Sequence, residues 1–157
     1  MHFAESFASS LRRNDVVALV GELGSGKTQF VKGVCRHFRV PESVSSPTFV
    51  MLHRYTGRDG RGEEMLIYHF DLYKTDASSG IFDLGYEEFF HADALSLIEW
   101  GDRLRELAPR DRIEVSFSFG AAENERSIRI DRRAAERSNG SPDRVRQSEI
   151  RNEHSGY

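Results

Sequence analysis

The chain holds a single cysteine, Cys35, among 157 residues. That excludes an internal disulfide and a thiolate cage around a metal. No apolar run approaches the roughly 18–20 residues that a membrane-spanning helix requires. The N-terminus, Met1-His2-Phe3-Ala4-Glu5-Ser6, brings an acid early and has no apolar segment, so it lacks the form of a signal peptide. Lysine is scarce: Lys27, Lys32 and Lys74 are the lysines, and the remaining basic residues are arginines. We read this bias as compositional, not functional. Positive charge is not in excess either. Lys and Arg total 22 against 25 Asp and Glu, a net charge of -3. A broad basic footprint for nucleic acid is therefore excluded, and any such contact is expected to be local or indirect. What is present is 38% hydrophobic residues, with 11 Phe, 5 Tyr and one Trp, enough to build a core. The length fits one domain. The expectation is a soluble, cytoplasmic, single-domain protein.

Phe3, Phe7 and Leu11 recur at four-residue spacing and predict an amphipathic helix over residues 3–13. Val16-Val17-Ala18-Leu19-Val20 is a continuous apolar run, the form of a strand buried on both faces. A glycine-rich turn follows, and then a second helical pattern from Lys27 to about Phe38. Pro41 and Pro47 bracket a loop with Ser43, Ser45 and Ser46. Residues 48–55 and 66–73 predict an antiparallel hairpin, with Gly57, Gly60 and Gly62 in a long connection. Residues 83–93 predict a short helix, Leu95–Trp100 a buried strand, and 113–119 with 127–130 a final strand pair. The domain is expected to span residues 1–133. The segment 134–157, rich in Arg, Glu, Ser and Asn, is expected to be a disordered polar tail.

Gly21-Glu22-Leu23-Gly24-Ser25-Gly26-Lys27-Thr28 matches the pattern G-x-x-x-x-G-K-[ST], known as the Walker A motif or P-loop. Glycines let the backbone wrap a phosphate chain with its N–H groups turned inward. The helix beginning near Lys27 offers its positive dipole end to the same anion. Lys27 supplies a point charge for the β/γ-phosphates, and the Thr28 hydroxyl can coordinate Mg²⁺. The alternative is an accidental glycine-rich turn, but a buried strand before the motif and a helix after it are the context it requires. The spacing is not the dinucleotide fingerprint G-x-G-x-x-G.

A magnesium–nucleotide site also needs acids at strand ends. Glu99 ends the run Leu95-Ser96-Leu97-Ile98 and is followed by Trp100, while Asp71 lies between Phe70 and Leu72. An unpaired carboxylate in an apolar strand is costly, so each should meet a cation, a donor or water. A metal-bound or water-orienting role accounts for both, and the pattern leaves open which does which. The bland alternatives are a solvated strand end for Glu99 and an outward turn acid for Asp71. Ser46-Pro47-Thr48 stands where many nucleotide switches carry a hydroxyl to metal and γ-phosphate, although by itself it reads as an ordinary loop. Cys35 reads as a core thiol, and His37, His53, His69 and His91 show no metal-ligand spacing and are assigned to no site.

Together these residues resemble the bacterial TsaE (YjeE) family, the small P-loop ATPase of tRNA threonylcarbamoyladenosine (t6A) biosynthesis. The resemblance rests on GELGSGKTQFVKG at 21–33, SPTF at 46–49, HFDLYK at 69–74, DLGYEEFF at 83–90 and IEWGDRL at 98–104. It covers roughly residues 3–133. It implies a three-layer P-loop α/β domain with a mixed, mainly parallel sheet extended by antiparallel strands. It implies that residues 21–28 bind ATP, that Lys27 and Thr28 hold phosphate and Mg²⁺, and that Thr48 belongs to a switch-like loop. Asp71 and Glu99 become the acidic pair at the metal and γ-phosphate, with Trp100 close by. The implied activity is a slow, Mg²⁺-dependent ATP hydrolysis regulated by TsaD and TsaB partners, with tRNA engaged only through that complex. Three departures are visible, one of them the tail beyond about residue 133, which is not a feature of the family. The chain starts almost at the first helix, without the family's usual N-terminal strand, so part of the base-binding side is expected to be absent. Gly101 replaces a frequent proline and is expected to loosen its loop. Two other readings share the cradle: a small-molecule phosphotransferase, which would need an acceptor pocket and an arginine-bearing lid, and a GTP-dependent switch, which normally carries N-K-x-D. The chain has no Asn-Lys pair.

Overall fold

A computed structural model describes residues 2–47, 51–74, 85–90, 92–122, 124–134 and 148–152. In chain order the elements are α1 (His2–Ala8), β1 (Val16–Gly21), α2 (Lys27–His37), β2 (Leu52–Arg58), β3 (Glu64–Asp71), α3 (Tyr86–Phe90), β4 (Leu95–Glu99), a 3-10 helix (Gly101–Leu107), β5 (Arg112–Phe119), β6 (Arg126–Arg133) and β7 (Ser148–Asn152). The strands form one seven-stranded sheet in the order β2-β3-β4-β1-β5-β6-β7. Its centre, β3-β4-β1-β5, is parallel throughout. One flank is extended by β2 antiparallel to β3, the other by β6 and β7 in antiparallel pairs. The expected mixed α/β architecture is therefore the observed one.

The two faces of the sheet explain its sequence. Val17 and Leu19 of β1, Leu95 and Leu97 of β4 and Ile67 of β3 pack against α1 and α2, joined by Phe30, Val31 and Val34. Val16, Phe70 and Ile98 point the other way, onto Phe90 of α3 and Leu104 of the 3-10 helix. A central strand covered on both sides needs apolar residues at every position, which is why β1 and β4 read as unbroken apolar runs. In β4 the exceptions are Glu99 at its end and Ser96, whose buried hydroxyl donates to the Phe89 carbonyl at 3.2 Å.

Several boundaries differ from the periodicity. The first helix ends at Ala8 rather than near residue 13. The Ser9 and Ser10 hydroxyls donate to the carbonyls of Ser6 and Phe7, at 2.7 and 2.8 Å, and so compete with continued helix. Leu11 is still buried, carried inward by the turn. In the hairpin, Gly57 belongs to β2 rather than to the connection. A Cβ there would lie 2.3 Å from the Phe38 carbonyl oxygen, so the strand can pass beneath the end of α2 only as glycine. The expectation of a loosened loop at Gly101 is corrected. That residue is buried, and an added Cβ would meet Ala18 Cβ at 2.6 Å, so glycine lets the 3-10 helix close onto β1. Within the polar segment after residue 134, Ser148–Asn152 pair with β6 from Arg126 to Ile130. An edge strand offers unpaired N–H and C=O groups to any extended segment, whatever its side chains.

Candidate functional site

Residues 21–28 make the turn from β1 into α2, at the C-terminal edge of the parallel strands. Gly24 and Gly26 adopt φ of 76° and 105°, left-handed values that leave no comfortable place for a side chain. Gly26 is also the residue from which α2 starts, its carbonyl accepting from Phe30 N at 2.9 Å. Lys27 turns back over the loop. Its Nζ donates to the carbonyls of Gly21 and Glu22, both at 2.8 Å, and lies 4.0 Å from the centre of the Trp100 ring. Only 4% of Lys27 is exposed. Burial lowers its pKa below the ordinary lysine value, while Glu99, Asp71 and Asp102 pull in the opposite direction.

The two acids come from neighbouring strands. Asp71 ends β3, Glu99 ends β4, and they are register partners across the parallel pair. Both are buried and face α2. The Thr28 hydroxyl donates to both Glu99 oxygens, at 2.8 and 2.9 Å to Oε1 and Oε2. Glu99 Oε1 also lies 2.9 Å from His69 Nε2. Asp71 Oδ1 accepts from Tyr73 N at 2.9 Å, and its Oδ2 accepts from the Ser46 hydroxyl. The loop after α2 is held to β3 as well, since Asp71 N donates to the Met51 carbonyl at 3.1 Å and Met51 N to Pro47 O at 2.7 Å.

These groups line one open cleft of about 450 Å³, with Lys27, Thr28, Ser46, Asp71, Tyr73, Glu99 and Trp100 on its walls. Trp100 adopts φ of 60° directly after Glu99, which brings its ring beneath the lysine and 5.0 Å from the Tyr73 ring. A second pocket of about 340 Å³ opens on the other side of the P-loop. Gly24, Gly26 and Gln29 border both, and Phe3, Phe30, Phe117 and Ile128 give the second an apolar lining, with Asn124 and Arg126 at its edge.

The donors suit a small hard cation. Thr28, Glu99 and Asp71 offer oxygen alone, and Mg²⁺ is characteristically held by one or two carboxylates with phosphate oxygens and water completing its shell. Among the described residues no group of three or more His, Cys, Asp or Glu forms a metal-ligand set. A cation here would therefore be shared with phosphate rather than caged by protein. Because the Thr28 proton is engaged by Glu99, the lone pairs of Oγ1 are left for the cleft.

The structure thus brings together Gly21–Thr28, Asp71, Glu99 and Trp100. Glu22 and Leu23 are exposed on the loop, Leu23 at 68%. Thr48 lies outside the described residues. Two polar partners, Ser46 and His69, lie within the segments 46–49 and 69–74 that carry the resemblance, but neither receives a site role from the sequence. Ser46 reads as loop until Asp71 is known to face it. His69 lacks ligand spacing, but strand alternation puts it on the same face of β3 as Asp71. A histidine at the inward position between Ile67 and Asp71 is the signal that could have found it.

The chain is similar to known proteins. The family described as "Threonylcarbamoyl adenosine biosynthesis protein TsaE" matches residues 1–128. The Bacillus subtilis protein named "tRNA threonylcarbamoyladenosine biosynthesis protein TsaE" is 34% identical over 125 residues, covering 80% of this chain and 74% of that protein. The Rickettsia bellii protein of the same name is 38% identical over 119 residues, covering 75% and 78%. Among solved structures, the crystal structure of Bacillus subtilis YdiB superposes with a TM-score of 0.64 at 28% identity, covering 81% of this chain and 74% of that one.

Proposed function

The chain belongs to the TsaE family, and from that premise we propose that it is the ATP-hydrolysing component of t6A synthesis on tRNA. In this reading it works in the cytoplasm with TsaD and TsaB homologues, and it meets tRNA only through that assembly. No helix among the described residues is long and apolar enough to cross a membrane. The observation that carries the reading is the Thr28 hydroxyl held by both Glu99 oxygens, in one cleft with Lys27 and Asp71.

The P-loop N–H groups and the start of α2 hold the triphosphate. The Lys27 ammonium is an inexpensive charge to redirect, because it now rests on carbonyls and an aromatic face rather than on a carboxylate. Thr28 with Glu99 or Asp71 would hold Mg²⁺, which would supply charge neutralisation to the phosphates. Thr28 orients its lone pairs toward the cleft, and Glu99 holds its proton. Asp71 or Glu99 orients the water whose oxygen attacks the γ-phosphorus, in line with the bond to ADP that breaks. The apolar pocket beyond Gly24 and Gln29 is where the base would lie, the aromatic Phe3 and Phe117 providing its walls.

Phosphate release from ATP, compared with GTP and measured with and without the TsaD and TsaB homologues, tests this. Release from ATP that rises when the partners are added is expected. Lys27→Ala should remain folded and lose that release, because the ammonium acts where phosphate charge is densest. Undiminished turnover in the folded variant would remove the P-loop from the reaction.

A further inference from the structure

His69 sits on β3 two positions before Asp71 and is fully buried. Its Nε2 reaches Glu99 Oε1 at 2.9 Å, whereas its Nδ1 finds no partner among the described residues. A core that needed only volume here would use an aliphatic side chain, as β3 does at Ile67 on the same face. Instead it tolerates a buried unpaired nitrogen, which is costly, and the nitrogen that does have a partner is the one aimed at Glu99. The carboxylate is consequently held from two elements at once, by Thr28 at the start of α2 and by His69 from β3. The Tyr55 ring lies beside the imidazole, with centroids 6.3 Å apart and planes 30° apart. The Tyr55 hydroxyl in turn meets His53 Nδ1 at 3.0 Å and the backbone of Ser45 at 3.4 Å. Ser45 precedes the serine that donates to Asp71.

We propose that His69 is a positioning residue: it donates Nε2–H to Glu99 and keeps that carboxylate facing the Thr28 hydroxyl, so that the lone pairs of Thr28 stay turned toward the cation site. Without the imidazole, Glu99 can rotate about its last side-chain torsion and Thr28 can lose its single fixed acceptor. Partners of this kind, one shell out from a metal site, are worth about 10–100-fold in metal affinity or activity. The inference rests on the Mg–ATP reading of the cleft.

The test uses the full chain saturated with a non-hydrolysable ATP analogue and titrated with Mg²⁺. Trp100, the single tryptophan, lies 4.0 Å from Lys27 Nζ and reports by fluorescence when the ammonium moves. His69→Leu should fold: it removes the donor to the buried Glu99 carboxylate, which destabilises, and an unpaired buried nitrogen, which partly offsets that loss. It should need about 10-fold more Mg²⁺ for half of the Trp100 change. His69→Gln, whose amide nitrogen can stand in for Nε2, should restore most of the wild-type requirement. His69→Asn, too short to reach Glu99, should not, and the Gln–Asn pair decides the matter if the leucine variant fails to fold. An unshifted Mg²⁺ requirement in His69→Leu, or equal shifts in the Gln and Asn variants, would overturn the proposal and make His69 a filler of the core. A wild-type protein with no Mg²⁺ response would overturn the reading of the cleft and this inference together.

Discussion

Asp71 and Glu99 each have two oxygens, and in both residues each oxygen receives a donor: Ser46 and Tyr73 N for Asp71, Thr28 and His69 for Glu99. An amide has a single acceptor oxygen, so Asp71→Asn or Glu99→Gln sets an N–H₂ against a group that donates. We expect each substitution to cut phosphate release by about 10²-fold. The two should differ in Mg²⁺ requirement, the larger shift marking the residue nearer the cation. Steady-state turnover against Mg²⁺ concentration measures both effects, and wild-type rates in the two variants would remove the acidic pair from the site. Lys27 adds a stability consequence. Burial holds its folded pKa below the ordinary 10.5. The native state thus carries the cost of a buried charge at neutral pH and sheds it as pH rises through the folded value.

At the scale of elements, α2 and the 3-10 helix set the cleft. Cys35 on α2 is 1% exposed, and burial pushes its thiol from 9.0 up to about 12. Its thiolate is thereby suppressed, and iodoacetamide at pH 8 should label it only on unfolding; rapid labelling of the native protein would show that α2 opens. Between those two values the unfolded chain releases a proton that the native state keeps. This group therefore lowers stability as pH rises through that window. The 3-10 helix depends on Gly101, whose Cα packs against Ala18 with no room for a methyl group. Gly101→Ala should cost about 1–3 kcal/mol in chemical denaturation. Because Trp100 adjoins it, the substitution should also weaken the response of that ring to nucleotide. Normal stability would mean that the helix can shift off β1 freely.

For the whole molecule, the sheet separates the site from the far edge. The cleft lies over β3, β4 and β1, whereas β7 pairs at the opposite side with β6. Shortening the chain to residues 1–134 leaves β6 as the edge strand, and its Arg126, Arg129, Arg132 and Arg133 are the kind of charged residues that keep an edge from pairing with another chain. We expect ATP turnover and partner stimulation to survive that truncation, measured on the shortened chain beside the full one. Loss of either would tie β7 to the function.

Much of this was legible in the chain itself, for physical reasons that are local. Glycines at 24 and 26 before a lysine and a threonine determine the turn from β1 into α2, because left-handed backbone and helix start are properties of adjacent residues. Continuous apolar runs at 16–20 and 95–98 determine central strands because both their faces must be dry. The acids at 71 and 99 stood out because apolar neighbours make them expensive. Tertiary structure alone decided what those acids meet. Glu99 touches Thr28 and His69, 71 and 30 residues away in sequence, and Asp71 touches Ser46 across 25. It also decided that Gly57 and Gly101 serve close approach, because Phe38 and Ala18 arrive from other elements. β7 belongs to the same class, since its pairing uses backbone groups that no side-chain pattern encodes. Local sequence specifies which groups are present and how the nearby backbone bends; which of them share a hydrogen bond depends on the register and closure of the sheet, a property of the whole chain.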